Sequence, residues 1–400
     1  MTTQLTDTEL FKNFQEFRVQ LNNRFLERET IIDGLLASLL SQQNAFLFGV
    51  PGTGKSELVR EISNGFKGTK YFGYLLSPTT DPSELFGPVA VTKLLKDEYT
   101  RDTEGYLPSS NICFLDELFR GSSAVLNSLL TILNERTFNN GKEVIETPIQ
   151  SVVAATNSFP NEESLQAFLD RFLFRPTVNL LQKPVSKRML DHWSLGLEPR
   201  PLIESKLTAD DLLTLQKAAA RTGPSKKFAE VFGEVMNRLD SAGVEVSDRR
   251  RVQLIKFLRG YAVVKGSDEI TPSMLLDTLP HILYQTEDDK DAILECLHAS
   301  IVTAEKIQKD ISNAANSVMH TFYEWNSKKP NDLSAFNECA RQVRKCHNDM
   351  NLIISKLRDT LDDEDLEITE QARLKLMKLY TQSEGDLNRI TKALEHYTTN

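Results

Sequence analysis

The chain has 400 residues, 40% of them hydrophobic and 26% charged, and a formal net charge of -9. That length allows two or three domains of ~100–200 residues each, and that composition excludes a chain dominated by disorder. The acidic balance argues against a general binder of DNA or RNA, which needs clustered Lys and Arg to neutralise backbone phosphates. Cys113, Cys296, Cys339 and Cys346 form no C-x-x-C pair, which argues against a zinc site and fits a reducing compartment. The opening MTTQLTDTELFKNF lacks the apolar core of a signal peptide, and no run approaches the ~18–20 apolar residues of a membrane span. A soluble cytoplasmic protein is expected.

Residues 10–42 read as helical, with Leu35, Leu36, Leu39 and Leu40 at helix spacing. The short apolar run NAFLFGV then reads as a buried strand, and SELVREIS as the helix after it. YFGYLLS (71–77), NICFLDE (111–117) and QSVVAATN (150–157) are further short apolar runs alternating with helical or loop sequence. This rhythm predicts a parallel sheet flanked by helices. In FNNGKEVIETPI, between Phe138 and Ile149, an Asn-Gly pair predicts a β-hairpin.

After LLQKPVSKR, near residue 185, the pattern turns almost wholly helical. Thr208 and Asp211 have the spacing of a capping box. Ser247 reads as an N-cap and Gly266 as the closing glycine of DRRRVQLIKFLRGYAVVKG. Thr271-Pro272 opens another helix. Further on, apolar residues at steps near 3.5 run in three segments, broken at SKKPND (327–332) and DDED (362–365), which predicts an antiparallel three-helix bundle. The expected domains are a nucleotide-binding α/β core over 1–185, an all-α lid over 186–285 and the bundle over 286–400.

Chemistry concentrates in three places. The stretch GVPGTGKS, Gly49 to Ser56, matches G-x-x-x-x-G-K-[ST] between a predicted strand and a predicted helix. Its residues Gly49, Val50, Pro51, Gly52, Thr53, Gly54, Lys55 and Ser56, with Glu57 behind them, would cradle phosphates with backbone N–H groups at a helix N-terminus. Lys55 would reach the β- and γ-phosphates, and the Ser56 hydroxyl would ligate Mg²⁺. In ICFLDE a buried strand ends in two carboxylates, which is costly unless a cation meets them. Asp116 would hold Mg²⁺, and Glu117 would deprotonate an attacking water. VVAATN ends a strand at Asn157, where an amide could bind that water.

The ordered set GVPGTGKS, FLDELFRGSSAVLNSLLTILNERTF, VVAATN and LDRFLFR resembles the AAA+ ATPases, and within them the MoxR family. The FLDE…LNSLLTILNER and SDRR pieces look closest to the regulatory ATPase variant A subgroup, whose inserted small domain has no room at the SKKPND break. The likeness is closest over about 25–180 and extends through the helical segment to ~285. It implies a P-loop AAA+ module that binds ATP and Mg²⁺ and works as a hexameric ring with chaperone-like activity. It implies that Arg171 is an arginine finger reaching a neighbour's ATP, and that Arg249, or else Arg250, is the second sensor. It also implies that the hairpin and an insertion over 84–108, with Lys93, Lys96 and Arg101, face a central pore. A partner with a von Willebrand factor A domain is expected on the same ground. The alternative from a different class is an AAA+ motor acting on DNA, where the same hairpins serve a strand.

Overall fold

The computed structural model describes residues 8–157, 168–181, 202–244, 246–283, 287–301 and 341. The chain divides into two compact units, Met1–Ser300 and Ile301–Asn400. The expected C-terminal bundle beyond Ile301 lies, but for Arg341, outside the described residues.

Helix α1 (Glu9–Arg24) starts at Thr8, whose hydroxyl accepts the Phe11 N–H. Helix α2 spans Glu29–Leu40. The helical stretch expected over 10–42 consists of these two helices, parted at 25–28, where Glu27 takes a left-handed φ of 55°. The break gives Arg18 of α1 a two-pronged bond to the buried Asp33 of α2, at 2.5 and 2.7 Å. Every residue of α2 from Ile31 to Leu40 is buried. A helix buried on all sides needs packing on each face, and here it comes from α1, from helices of the later helical segment and, at Gly34, from Phe174.

Strand β1 (Ala45–Phe48) leads through the glycine loop into α3 (Lys55–Asn64), and β2 spans Tyr71–Leu75. The insertion follows with α4 (Pro82–Phe86) and α5 (Val91–Leu94). Next come β3 (Ile112–Asp116), α6 (Ser123–Glu135), the hairpin β4 (Thr137–Asn140) and β5 (Glu143–Glu146), and β6 (Ser151–Thr156). The main sheet is parallel in the order β1-β6-β3-β2. Residues 174–177 add bridges along the outer edge of β1, parallel to it, with Phe46 N–H on Phe174 O at 2.8 Å. The central strands β3 and β6 are the near-continuous apolar runs that burial on both faces requires.

The hairpin lies where the Asn-Gly pair placed it, one residue out of step. Asn140 pairs with Glu143, so Gly141 and Lys142 make the turn, with Gly141 at φ 69°. The shift frees the Asn140 side chain, which accepts the Arg101 N–H at 2.6 Å and donates to Arg101 O at 3.1 Å. Phe86 stacks on Phe138 at 5.4 Å. Insertion and hairpin thus form one body. Arg101 also donates to Gly87 O, so it is a structural residue of that body. Lys93 and Lys96 remain exposed at its tip beside Leu95, which is 84% exposed.

The segment expected as the lid holds α7 (Ala209–Arg221), α8 (Lys226–Ser241), α9 (Asp248–Lys265) and α10 (Ser273–Thr278), and α11 (Glu287–Ser300) follows at the start of the range expected for the bundle. The Thr208–Asp211 capping box, the Ser247 cap and the left-handed Gly266 all appear as expected. Helix α9 lies on α2, the most extensive helix pairing in the described chain. They meet at Gly260, where even a Cβ would come within 2.6 Å of Ala37 O. Helix α11 packs on α8. Among the described residues, no helix is long and apolar enough to cross a membrane.

Candidate active site

The glycine loop sits at the carboxyl ends of the strands, where open parallel sheets place ligands. Gly49 N–H donates to Thr156 O at 3.1 Å, and a Cβ on Gly49 would strike Val178 O at 2.4 Å. Gly52 and Gly54 take φ of 80° and 79°, with open space where their Cβ atoms would be. Helix α3 begins at Lys55 without a side-chain cap, so its positive end is presented to the curl of the loop. Lys55 is buried, and its ammonium donates to Gly49 O (2.7 Å) and Val50 O (3.0 Å). Burial lowers its pKa, and the carboxylates of Asp116 and Glu117 pull the other way. Those two strand-end acids are therefore close enough to the loop to be felt there. Ser56 and Val50 are exposed at the mouth. The Glu57 carboxylate is held by Arg24 at 3.0 Å, so what it offers the loop is its backbone.

Glu117 adopts a left-handed conformation, φ 51° and ψ 45°. Its N–H donates to Asp116 Oδ1 at 3.1 Å, and Arg120 stands 3.8 Å from its carboxylate. Asn157 is exposed, one residue beyond the Thr156 carbonyl that anchors Gly49. The structure thus brings Lys55, Ser56, Asp116, Glu117 and Asn157 to one end of the sheet.

It takes the arginines to the other end. Arg171 O accepts from Asn44, which precedes β1, whereas the glycine loop follows β1. At ~3.3 Å per strand residue, five residues put ~16 Å between these ends. Arg171 and Arg249 line one open cleft of about 720 Å³, together with Arg136, Lys256 and Asp248. Arg249 donates to Asn134 at 3.0 Å. Arg250 is buried and faces Asp170 at 3.5 Å, and Arg251 faces Asp240, so Arg249 is the member of the run that enters the cleft. Sequence reasoning missed Asn44 and Arg136, which support this end. Arg136 stood in the quoted LNER without a role, and nothing marks Asn44 in the sequence.

The residues fit a nucleoside triphosphate with Mg²⁺. The loop offers an uncapped helix start, a sequestered ammonium and glycines in left-handed turns, beside a hydroxyl and a carboxylate for the metal.

The family model described as the MoxR domain in the MoxR-vWA-beta-propeller ternary systems matches residues 12–217. The chain belongs to the MoxR family of AAA+ ATPases. The AAA lid domain model matches residues 228–297. An uncharacterised protein of Methanocaldococcus jannaschii is 34% identical over 276 residues, 69% of this chain and 72% of its own. The chaperone MoxR1 of Mycobacterium tuberculosis is 24% identical over 308 residues, 73% of this chain and 80% of its own. A crystal structure of a candidate ATPase from Cytophaga hutchinsonii shares the fold, with a TM-score of 0.59 and 18% identity over 73% of this chain and 95% of that one. The MoxR core match covers the glycine loop, the strand-end carboxylates and Arg171, and the lid match covers Arg249.

Proposed function

We propose that this MoxR-family chain is a ring-forming, Mg²⁺-dependent ATPase that hydrolyses ATP at subunit interfaces and uses it to remodel or assemble a partner protein. The observation that carries this reading is the separation of its charges. Loop, metal carboxylate and base stand at one end of the sheet, and Arg171 and Arg249 stand in a cleft at the other. A head-to-tail contact brings the cleft of one subunit to the loop of the next, and such a contact closes into a ring or runs on as a helix; the family likeness favours the closed ring, with six subunits. In this arrangement both arginines serve the neighbour's nucleotide.

Bound ATP and Mg²⁺ supply the transferable phosphoryl group and part of its charge neutralisation. This chain's residues do the rest. Lys55 and the helix start hold phosphate, and Ser56 and Asp116 hold the metal. Asn157 orients water, Glu117 takes its proton, and Arg171 of the neighbouring subunit meets the developing charge. Because α9 carries Arg249 at its start and lies along α2, a change at the neighbour's nucleotide is felt by the whole lid. The lid is extended here to Ser300, since α11 packs on α8, with the nucleotide core ending near 185.

The matched model's description, with its von Willebrand factor A component, and the likeness to a chaperone support a protein partner carrying such a domain. The exposed Val91, Leu94 and Leu95 on the welded insertion give that partner an apolar contact. Cysteine usage supports a cytoplasmic site of action.

The test is ATP turnover and oligomer mass for wild type, Glu117→Gln and Arg171→Ala. The expected result is a ring that turns over, two variants that bind ATP but lose ~10²-fold or more in kcat, and partial recovery on mixing them. A monomer that hydrolyses ATP normally without Arg171 refutes the reading.

A further inference from the structure

Arg136 closes α6 in a left-handed conformation, φ 57°. Its carbonyl accepts both the N–H (2.8 Å) and the hydroxyl (2.9 Å) of Thr147, where the chain leaves β5. The base of the hairpin is therefore fastened to this one residue. Its guanidinium turns the other way. Nη2 donates to Gln42 O at 3.0 Å and to Asn44 Oδ1 at 2.8 Å, and Nη1 is buried with no hydrogen-bond partner. Among the described residues no carboxylate pairs with it. Burial pushes its pKa down to about 10, which leaves it a cation at neutral pH.

Asn44 takes up the chain of bonds. It is 4% exposed. Its amide donates to Arg171 O at 3.2 Å and Leu133 O at 3.4 Å. Its side-chain oxygen also accepts Val152 N–H at 3.2 Å, and its carbonyl accepts Leu173 N–H at 3.0 Å. The turn that bears Arg171 is thus held on both sides by Asn44, and Asn44 is held by Arg136.

A half-buried cation with no counter-ion and a buried, unpaired Nη1 is a poor stabiliser, since an apolar side chain covers such a place at less desolvation cost. Its use is better sought in position than in stability. We propose that Arg136, acting through Asn44, is the positioning residue of Arg171, and that it couples the base of the β4–β5 hairpin to the arginine donated to the neighbouring subunit. The inference rests on the reading that Arg171 completes a neighbour's site. A transition-state contact misplaced by ~1 Å can cost ~10²-fold in rate, so a side chain that fixes this turn governs kcat without touching nucleotide. Displacing the hairpin pulls the Arg136 carbonyl and shifts the same turn.

The experiment is steady-state ATP hydrolysis by the full chain with Arg136→Gln, alone and in 1:1 mixtures, with ATP affinity and melting temperature measured in parallel. The expected kcat is at least ~10-fold lower, with KM and ATP affinity near wild type. Mixing with Glu117→Gln restores part of the rate, because the Glu117→Gln subunit lends its intact finger to the Arg136→Gln subunit's intact base. Mixing with Arg171→Ala restores nothing, because both lack a working finger. Arg136→Lys keeps the charge and loses the fork; it gives a smaller loss with the same mixing pattern, and it carries the test if Arg136→Gln does not fold. The proposal is overturned if kcat is unchanged. It is overturned equally if Arg171→Ala rescues Arg136→Gln and Glu117→Gln does not, which places Arg136 in its own subunit's site. If Arg171→Ala and Glu117→Gln fail to rescue each other, the shared-site reading itself fails, and this inference falls with it.

Discussion

Gly260→Ala tests where the lid sits. In an ordinary helix interior, replacing Gly by Ala stabilises by ~0.8–1 kcal/mol. At Gly260 the new Cβ lies 2.6 Å from Ala37 O and 3.4 Å from Ser41 Cβ. The nearer atom is backbone of a helix buried from Ile31 to Leu40, so it has nowhere to yield. Overpacking of this kind costs ~1–3 kcal/mol. With the cost at the upper end, the sum is a net loss of about 1–2 kcal/mol, or ~3–6 °C in melting temperature for a domain of this size. The control is Gly233→Ala in the middle of α8, where nothing lies within 4 Å of the new methyl. That change should raise the melting temperature by ~2 °C. The assay is thermal unfolding of both variants beside wild type, without nucleotide. If Gly260→Ala stabilises as Gly233→Ala does, α9 does not lie on α2, and the placement of Arg249 beside Arg171 is wrong with it.

Two further outcomes follow from the packing. Asn140→Ala removes both bonds to Arg101, a local loss of ~1–3 kcal/mol; limited proteolysis between 91 and 99 should quicken at least several-fold while the global melting temperature holds. Burial pushes the His281 pKa down to about 4, with Lys290 adding to it, so the fold favours the neutral ring. Its contribution is complete above the unfolded value of ~6.5 and is lost as pH falls from there toward 4, up to ~3 kcal/mol; the same pH series on His281→Phe should be flatter across that window.

Much of this was legible in the sequence because the signals are local. The loop glycines, the Asn-Gly pair and the Thr208 capping box each act through their own neighbours along the chain. Strands β1, β3 and β6 were legible because burial forces continuous apolar runs, as in ICFLD and SVVAAT, whereas the edge strand β2 was legible from its apolar run although none of its residues is buried. The break between α1 and α2 was not, since Arg24 to Arg28 contains neither Gly nor Pro; what holds it is the Arg18–Asp33 bond across the fold. Nor could three consecutive arginines be sorted by spacing. Their roles part only in three dimensions, where Arg250 meets Asp170, Arg251 meets Asp240 and Arg249 enters the cleft. The Asn44–Arg136 joint was invisible for the same reason, because its members lie 92 residues apart.

The left-handed turn at Glu117 links strand geometry to chemistry, and it too can be measured. Successive side chains on a strand point to opposite faces. An extended Asp-Glu pair would therefore send one carboxylate toward the glycine loop and the other away. At φ 51° Glu117 leaves the strand and breaks that alternation, and both acids act on Lys55. The conformation costs a residue with a Cβ about 1–2 kcal/mol, strain of the kind stored at functional sites. Glu117→Gln and Glu117→Gly both remove the carboxylate and its contact with Arg120, but only the second removes the Cβ. Allowing for glycine's greater freedom in the unfolded chain, Glu117→Gly should be the more stable of the two by about 0.5–1 kcal/mol. Both should bind ATP and neither should turn it over. Equal melting temperatures would mean that the strand end carries no strain, and that the convergence of the two carboxylates has another cause.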